Sequence, residues 1–155
     1  MLEAVIFSPF TGNAIPIEEV PDPVFAEKML GDGVAVNPSD GNVLAPLDGT
    51  ITILHSSGHA FTVQAENSPL TVLVHVGLDT IKLKGQGFRV HAKVGDKVKM
   101  GQLIITVDLK VVKEAGYSPV SPVILPDLPE QAHVEKYEPT QVLAGTSALF
   151  KVIIP

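Results

Sequence analysis

Two histidines, His59 and His75, sit in neighbouring apolar runs separated only by Glu66-Asn67-Ser68. The runs are Gly58-His59-Ala60-Phe61-Thr62-Val63-Gln64-Ala65 and Pro69-Leu70-Thr71-Val72-Leu73-Val74-His75-Val76-Gly77, rich in β-branched residues and suited to paired strands. If Glu66-Asn67-Ser68 is a three-residue hairpin loop, with Asn67 or Ser68 in the left-handed conformation, His59 lies opposite His75. Phe61 then faces Leu73, and Val63 faces Thr71, on one side of the ribbon, while Ala60, Thr62, Val72, Val74 and Val76 point the other way. Directly opposed residues hold their Cβ atoms roughly 4.5–5.5 Å apart, so the two imidazoles can share a site. A loop one residue longer would undo this pairing.

Three kinds of chemistry are open to such a pair. The plainest is none: a histidine in an apolar run is usually a hydrogen-bonded core or surface side chain. The second is a metal site, but catalytic zinc generally takes three protein ligands plus an open position. No third ligand is evident nearby, so the pair could hold a stray zinc ion only weakly. The third is nucleophilic catalysis, in which one ring nitrogen attacks phosphorus while the other stays protonated and hydrogen-bonded. Gly77 removes a side chain where His75 must be approached, and Asp79-Thr80 can supply polar contacts. No G-x-x-x-x-G-K-[ST] loop or kinase-type lysine context suggests a bound nucleotide.

The elements that must carry these residues read as short strands. Gly and Pro number 13 each and are spread along all 155 residues, punctuation that suits many strands better than a few long helices. Asp22 precedes one short helix over Pro23–Leu30, ended by Gly31-Asp32-Gly33 after about two turns. Strands follow through Val34–Val36, Ile51–Val76 and Val94–Val107, and the last of these stretches is similar to the strand pairs of lipoyl and biotinyl domains. One or two helical turns fit Leu109–Ala115, the Pro-rich stretch Ser118–Pro129 must be extended or irregular, and Ala148–Ile154 closes the chain as a strand.

Composition bounds the rest. Hydrophobic residues at 45% and charged residues at 18% imply a well-buried core, and the length fits one domain over residues 1–155. The chain has no cysteine, so disulfides and thiolate chemistry are excluded and a reducing, cytoplasmic setting is expected. No apolar stretch suggests a signal peptide or direct membrane insertion. A net charge of −6 disfavours nucleic acid as a partner.

Five blocks together resemble the glucose-type enzyme IIA family of the bacterial phosphoenolpyruvate:sugar phosphotransferase system. They are Asp22-Pro23-Val24-Phe25 through Gly33, Ala45-Pro46-Leu47-Asp48-Gly49-Thr50, Gly58-His59-Ala60-Phe61, Val74-His75-Val76-Gly77-Leu78-Asp79-Thr80, and Leu83-Lys84-Gly85-Gln86-Gly87-Phe88. The resemblance implies an all-β fold: an antiparallel β-sandwich or barrel-like domain of the duplicated hybrid motif type, with a few helical turns. It implies a phosphocarrier that accepts a phosphoryl group from phospho-HPr and passes it to the IIB domain of a membrane sugar permease, as a monomer and with no cofactor beyond a transient phosphohistidine. His75 matches the phosphorylated residue and His59 its supporting partner. Ser57 matches a hydroxyl that orients the pair, Gly77 and Asp79 support the turn after His75, and Asp22, Phe25, Phe61 and Leu73 are expected on the partner-docking surface. Regulatory protein targets are a further family expectation. His55 departs from the pattern, which frequently has an aromatic there. Two rival readings are a lysostaphin-like zinc endopeptidase, faintly echoed by the turn from His75 to Asp79 but lacking its His-x-His ligand pair, and a non-catalytic regulatory module that binds through the same patch.

Overall fold

In the computed structural model, which describes residues 1–138 and 140–155, β-strands dominate. In chain order they are β1 (Leu2–Phe7), β2 (Gly12–Pro16), β3 (Asp32–Pro38), β4 (Asn42–Leu44), β5 (Gly49–Leu54), β6 (Ala60–Ala65), β7 (Thr71–His75), β8 (Phe88–Val90), β9 (Lys97–Val98), β10 (Leu103–Val107), β11 (Ser121–Leu125), β12 (His133–Lys136), β13 (Gln141–Val142) and β14 (Ala148–Ile154). An eight-stranded sheet runs β13-β2-β3-β11-β7-β6-β5-β9, and two three-stranded sheets run β1-β14-β12 and β4-β10-β8. The strand pairs are antiparallel, as the sequence leads one to expect of this fold class.

The core joins residues of all three sheets and is largely aliphatic, with Phe10, Phe61 and Phe150 as its fully buried aromatics. A second, smaller cluster lies apart from it: Ile17, Val20, Phe25, Ala35, Leu78 and Ile124, with Leu73 and Val120 packed against them. Alternation along β3 and β11 separates the two clusters, since Val34, Val36, Val123 and Leu125 belong to the first while Ala35 and Ile124 belong to the second. The large sheet is therefore apolar on both faces.

Two short helices have legible ends. Helix α1 (Pro23–Ala26) starts at Asp22, whose carboxylate accepts a hydrogen bond from the Val24 amide at 3.0 Å, with Pro23 in the first turn. It is one turn rather than two because Lys28 turns left-handed at φ 60°. The Lys28 amide then donates to Phe25 and the Met29 amide to Val24, a Schellman closure made without glycine. Helix α2 (Leu109–Glu114) is capped by Asp108 and closed in the same manner with Gly116 at φ 88°.

The β6–β7 hairpin corrects the expected register. The strands pair Ala60 with His75, Phe61 with Val74, Thr62 with Leu73 and Val63 with Val72. The Ala65 amide donates to the Leu70 carbonyl at 2.8 Å, so the connection includes Pro69 and is one residue longer than anticipated. Pro69 is the physical reason: it has no N–H with which to close a pair opposite Ala65. The slip exchanges faces. Phe61, expected beside Leu73 on the docking surface, is 0% exposed within the main core, whereas Leu73 and His75 are half-buried on the other face.

Strand β5 contains a second irregularity. Ile51 pairs with Val63 and Ile53 with Thr62, so Thr52 is an extra residue in the ladder. Ile51 is buried, but Ile53, two residues on, is 52% exposed because the bulge has reversed the alternation. Leu54 then pairs with Phe61, and the His55 amide donates to the Ala60 carbonyl at 3.1 Å. His55 and His75 thus flank Ala60 across the ladder.

The corrected register makes Phe61 a packing residue. Phe61→Ala is expected to lower unfolding free energy by about 3–5 kcal/mol, and Leu73→Ala, at a half-buried position, by clearly less. Urea unfolding of both variants checks this, and equal small losses would contradict the placement of Phe61.

Candidate functional site

The site builds outward from a turn after β7. Gly77 has φ 75°, and a Cβ there would stand 2.6 Å from the Thr80 methyl and 3.0 Å from the Ser118 carbonyl, so only glycine fits. Its amide donates to Ser121 Oγ at 3.0 Å, and Ser121 Oγ–H donates to the Pro119 carbonyl at 2.8 Å. The Leu78 amide donates to the Ser118 carbonyl at 2.9 Å, and Thr80 Oγ1 donates to the Val76 carbonyl at 2.5 Å. These bonds fix the Gly77 carbonyl, which lies 2.6 Å from His75 Nδ1. A carbonyl can only accept, so Nδ1 carries the proton and Nε2 keeps its lone pair.

His59 reaches the same place by an unexpected route. It precedes β6 and follows Gly58, whose φ of 75° closes a turn in which the Gly58 amide donates to the His55 carbonyl at 2.8 Å. The His59 carbonyl still accepts from the Val76 amide at 2.7 Å, so His59 is opposite Val76 rather than His75. Lying outside the regular pleat, its ring nonetheless stands 5.5 Å from that of His75, centroid to centroid, at an interplanar angle of 70°. The anticipated opposition of the two residues is therefore incorrect, while the proximity of the rings is present. Ser57 Oγ lies 2.5 Å from His59 Nδ1.

The surroundings are apolar on one side and acidic on another. The Phe25 ring, 5% exposed and set by α1, is 5.2 Å from the His75 ring. Leu73 and Leu78 pack in the same small cluster as Phe25. Asp22, at the start of α1, and Asp79, exposed after the turn, both act electrostatically on His75. Burial holds the His75 proton affinity below the usual histidine range, against the opposing pull of the Gly77 carbonyl and the two carboxylates, with His55 lowering it further. His59 is 4% exposed, and burial, followed by the nearby His75 and His55, pushes its pKa down to about 4. Both rings are therefore neutral at pH 7, the state a nucleophile requires.

Most of the residues singled out in the sequence meet here: His75, His59, Ser57, Gly77, Asp79, Asp22, Phe25 and Leu73. Phe61 does not. The supporting roles of Ser118 and Ser121 in holding Gly77 were not legible, because Ser118-Pro119-Val120-Ser121 carries no local sign of being packed against the turn after β7, whereas Thr80 was expected to supply a polar contact there. Among the described residues no group of three or more His, Asp or Glu side chains is arranged to hold a metal ion.

Comparison with known proteins adds an independent line of observation. Residues 4–130 match the family model described as phosphoenolpyruvate-dependent sugar phosphotransferase system, EIIA 1. The PTS system glucose-specific EIIA component of Oceanobacillus iheyensis is 42% identical over 151 residues, covering 97% of this chain and 91% of that protein. The protein of the same name from Buchnera aphidicola is 40% identical over 149 residues, covering 96% of this chain and 88% of its own length. Among solved structures, glucose permease IIA from Mycoplasma capricolum superposes with a TM-score of 0.91 at 32% identity, over 97% of this chain and 96% of that one.

Two outcomes are expected from the site's geometry. Because the folded His59 binds a proton less readily than its ordinary value of 6.5, the unfolded chain holds more protons between about pH 4 and 6.5. Stability contributed by the neutral ring is therefore complete at pH 7 and lost as pH falls through that window, with a slope of up to about 1.4 kcal/mol per pH unit for one proton. His59→Gln should flatten that slope in urea unfolding measured from pH 7 to 4.5; an unchanged slope would show that His59 is not its source. Separately, Ser121→Ala leaves the Gly77 amide without its partner and should cost about 1–3 kcal/mol, read by the same method.

Proposed function

The chain belongs to the EIIA 1 family of the phosphoenolpyruvate-dependent sugar phosphotransferase system, and from that membership we propose that His75 is its phosphoryl carrier, charged by phospho-HPr and discharged to a sugar-specific IIB domain. The observation that carries this reading is the pinned tautomer: Nδ1–H of His75 donates to the Gly77 carbonyl, and Nε2 is left as the nucleophilic atom.

The transfer is an in-line displacement. As the Nε2 lone pair forms a bond to phosphorus, the P–N bond to the donor histidine breaks and its electron pair returns to the donor ring. The Nδ1 proton stays against Gly77 throughout, so no general base is needed. His59 supplies stabilisation: with Ser57 donating its hydroxyl proton to His59 Nδ1, the proton of the neutral ring resides on Nε2, where it can be donated to a phosphoryl oxygen. Phe25 and Leu73 exclude water from one side of the phosphohistidine. Asp22 and Asp79 oppose a free dianion and favour one delivered by a partner that brings its own cationic side chain. The chemistry calls for no bound cofactor, since position and fixed dipoles supply the stabilisation.

The phosphotransferase component is expected to act in the cytoplasm as a single-domain monomer, and no helix among the described residues is long and apolar enough to cross a membrane. Its relatives' names make glucose the first sugar to assay. The zinc peptidase and non-catalytic regulator readings draw no support from these relatives or from any ligand cluster among the described residues.

Incubation with phosphoenolpyruvate, the first enzyme of the system and HPr should add one phosphoryl mass. His75→Gln should abolish that gain. His59→Gln should still accept the group but pass it to IIB more slowly, by roughly a hundredfold or more. Intact mass with a timed transfer assay reads both, and a phosphoryl gain retained by His75→Gln would remove His75 from the role.

A further inference from the structure

A third imidazole adjoins the pair. The bulge at Thr52 turns His55 to the face that bears His75, and the small Ala60 lies between them in the ladder. His55 is exposed, and its ring lies 4.5 Å from that of His59, centroid to centroid, at an interplanar angle of 31°. His59 therefore has two imidazoles beside it, while its Nδ1 contacts Ser57. A purely apolar ring at position 55 would serve for stacking. An imidazole also brings a charge that changes near neutral pH.

The charged groups acting on this cluster are His59 and His75 within it and Asp22 and Asp79 on His75, and residues 84–90 form the neighbouring segment. That segment packs against Ser57 and Gly58 through Gly85, Phe88 and Val90. Phosphorylation of His75 adds roughly two negative charges to this small area. A dianion close to an exposed imidazole favours its protonated form.

We propose that His55 is a positioning and charge-balancing residue of the transfer site: it steadies the His59 ring by stacking and takes up a proton when His75 is phosphorylated. The inference rests on the phosphocarrier reading and makes the charged state proton-linked. The phosphoryl group moves from the donor ring to His75 Nε2 with the electron pair returning to the donor, while a proton passes separately from water onto His55. Lower pH therefore favours the phosphorylated chain.

The test compares wild type, His55→Phe and His55→Ala at pH 8, 7 and 6, each against the same ratio of phospho-HPr to HPr, with the phosphorylated fraction read by intact mass. The pH dependence of HPr cancels when the chains are compared at one pH. The wild-type advantage over His55→Phe in transfer equilibrium should grow by about twofold to sixfold from pH 8 to pH 6, the part of a threefold to tenfold gain in imidazole proton affinity on phosphorylation that falls within that window. His55→Ala should be charged more slowly than His55→Phe at every pH, because the His59 ring loses its support. A wild-type to His55→Phe ratio that stays flat overturns the proton linkage, and equal rates for the Ala and Phe variants overturn the stacking role. If wild type gains no phosphoryl mass at any pH, the phosphocarrier reading fails and this inference falls with it, a result visible before any variant is compared.

Discussion

The hydrogen bond from His75 Nδ1–H to the Gly77 carbonyl is the contact on which the remainder of the site depends. An imidazole has two equivalent-looking nitrogens, and in water its proton exchanges between them. Fixing one proton makes the other nitrogen chemically distinct. The carbonyl can do this only because the turn after β7 is itself immobilised, with Gly77 in a conformation and a space that exclude any side chain. Ser118, Ser121 and Thr80 hold that turn from two directions. Which nitrogen keeps its lone pair is thus decided by backbone atoms and hydroxyls of the turn.

At the next scale the eight-stranded sheet supplies two apolar faces with different uses. One closes against the smaller sheets and forms the main core. The other is covered in part by α1 and the residues leading into it, and Phe25 marks where that cover reaches His75. Burial lowers the proton affinity of both site histidines, while nearby carboxylates and the Gly77 carbonyl resist the effect at His75. A neutral imidazole at His75 follows from this balance.

Much of the fold was legible because it rests on local chemistry: β-branched runs, and glycines and prolines at turns. The site was legible for the same reason, since His59 and His75 lie in adjacent runs of a single hairpin. What escaped were features decided by one residue. Pro69 lengthened the hairpin connection and sent Phe61 into the core, and its missing N–H was a signal available in the sequence. The Lys28 turn shortened α1 without the glycine that usually marks such an end. The clamp by Ser118 and Ser121 depends on strands distant in the chain, so no local pattern announces it.

The extra residue at Thr52 acts as a change of reading frame written in three dimensions. Upstream of it odd-numbered positions of β5 look inward, and downstream the parity is reversed until the turn at Gly58. Were the strand to pair without that bulge, Leu54 would fall opposite Ala60 and the surroundings of Leu54 and His55 would be exchanged, drawing an imidazole into the hydrocarbon interior and pushing a leucine toward water. An alignment that closes a one-residue gap anywhere between Gly49 and Gly58 therefore decides, without any change of composition, which side chain is credited with facing the site.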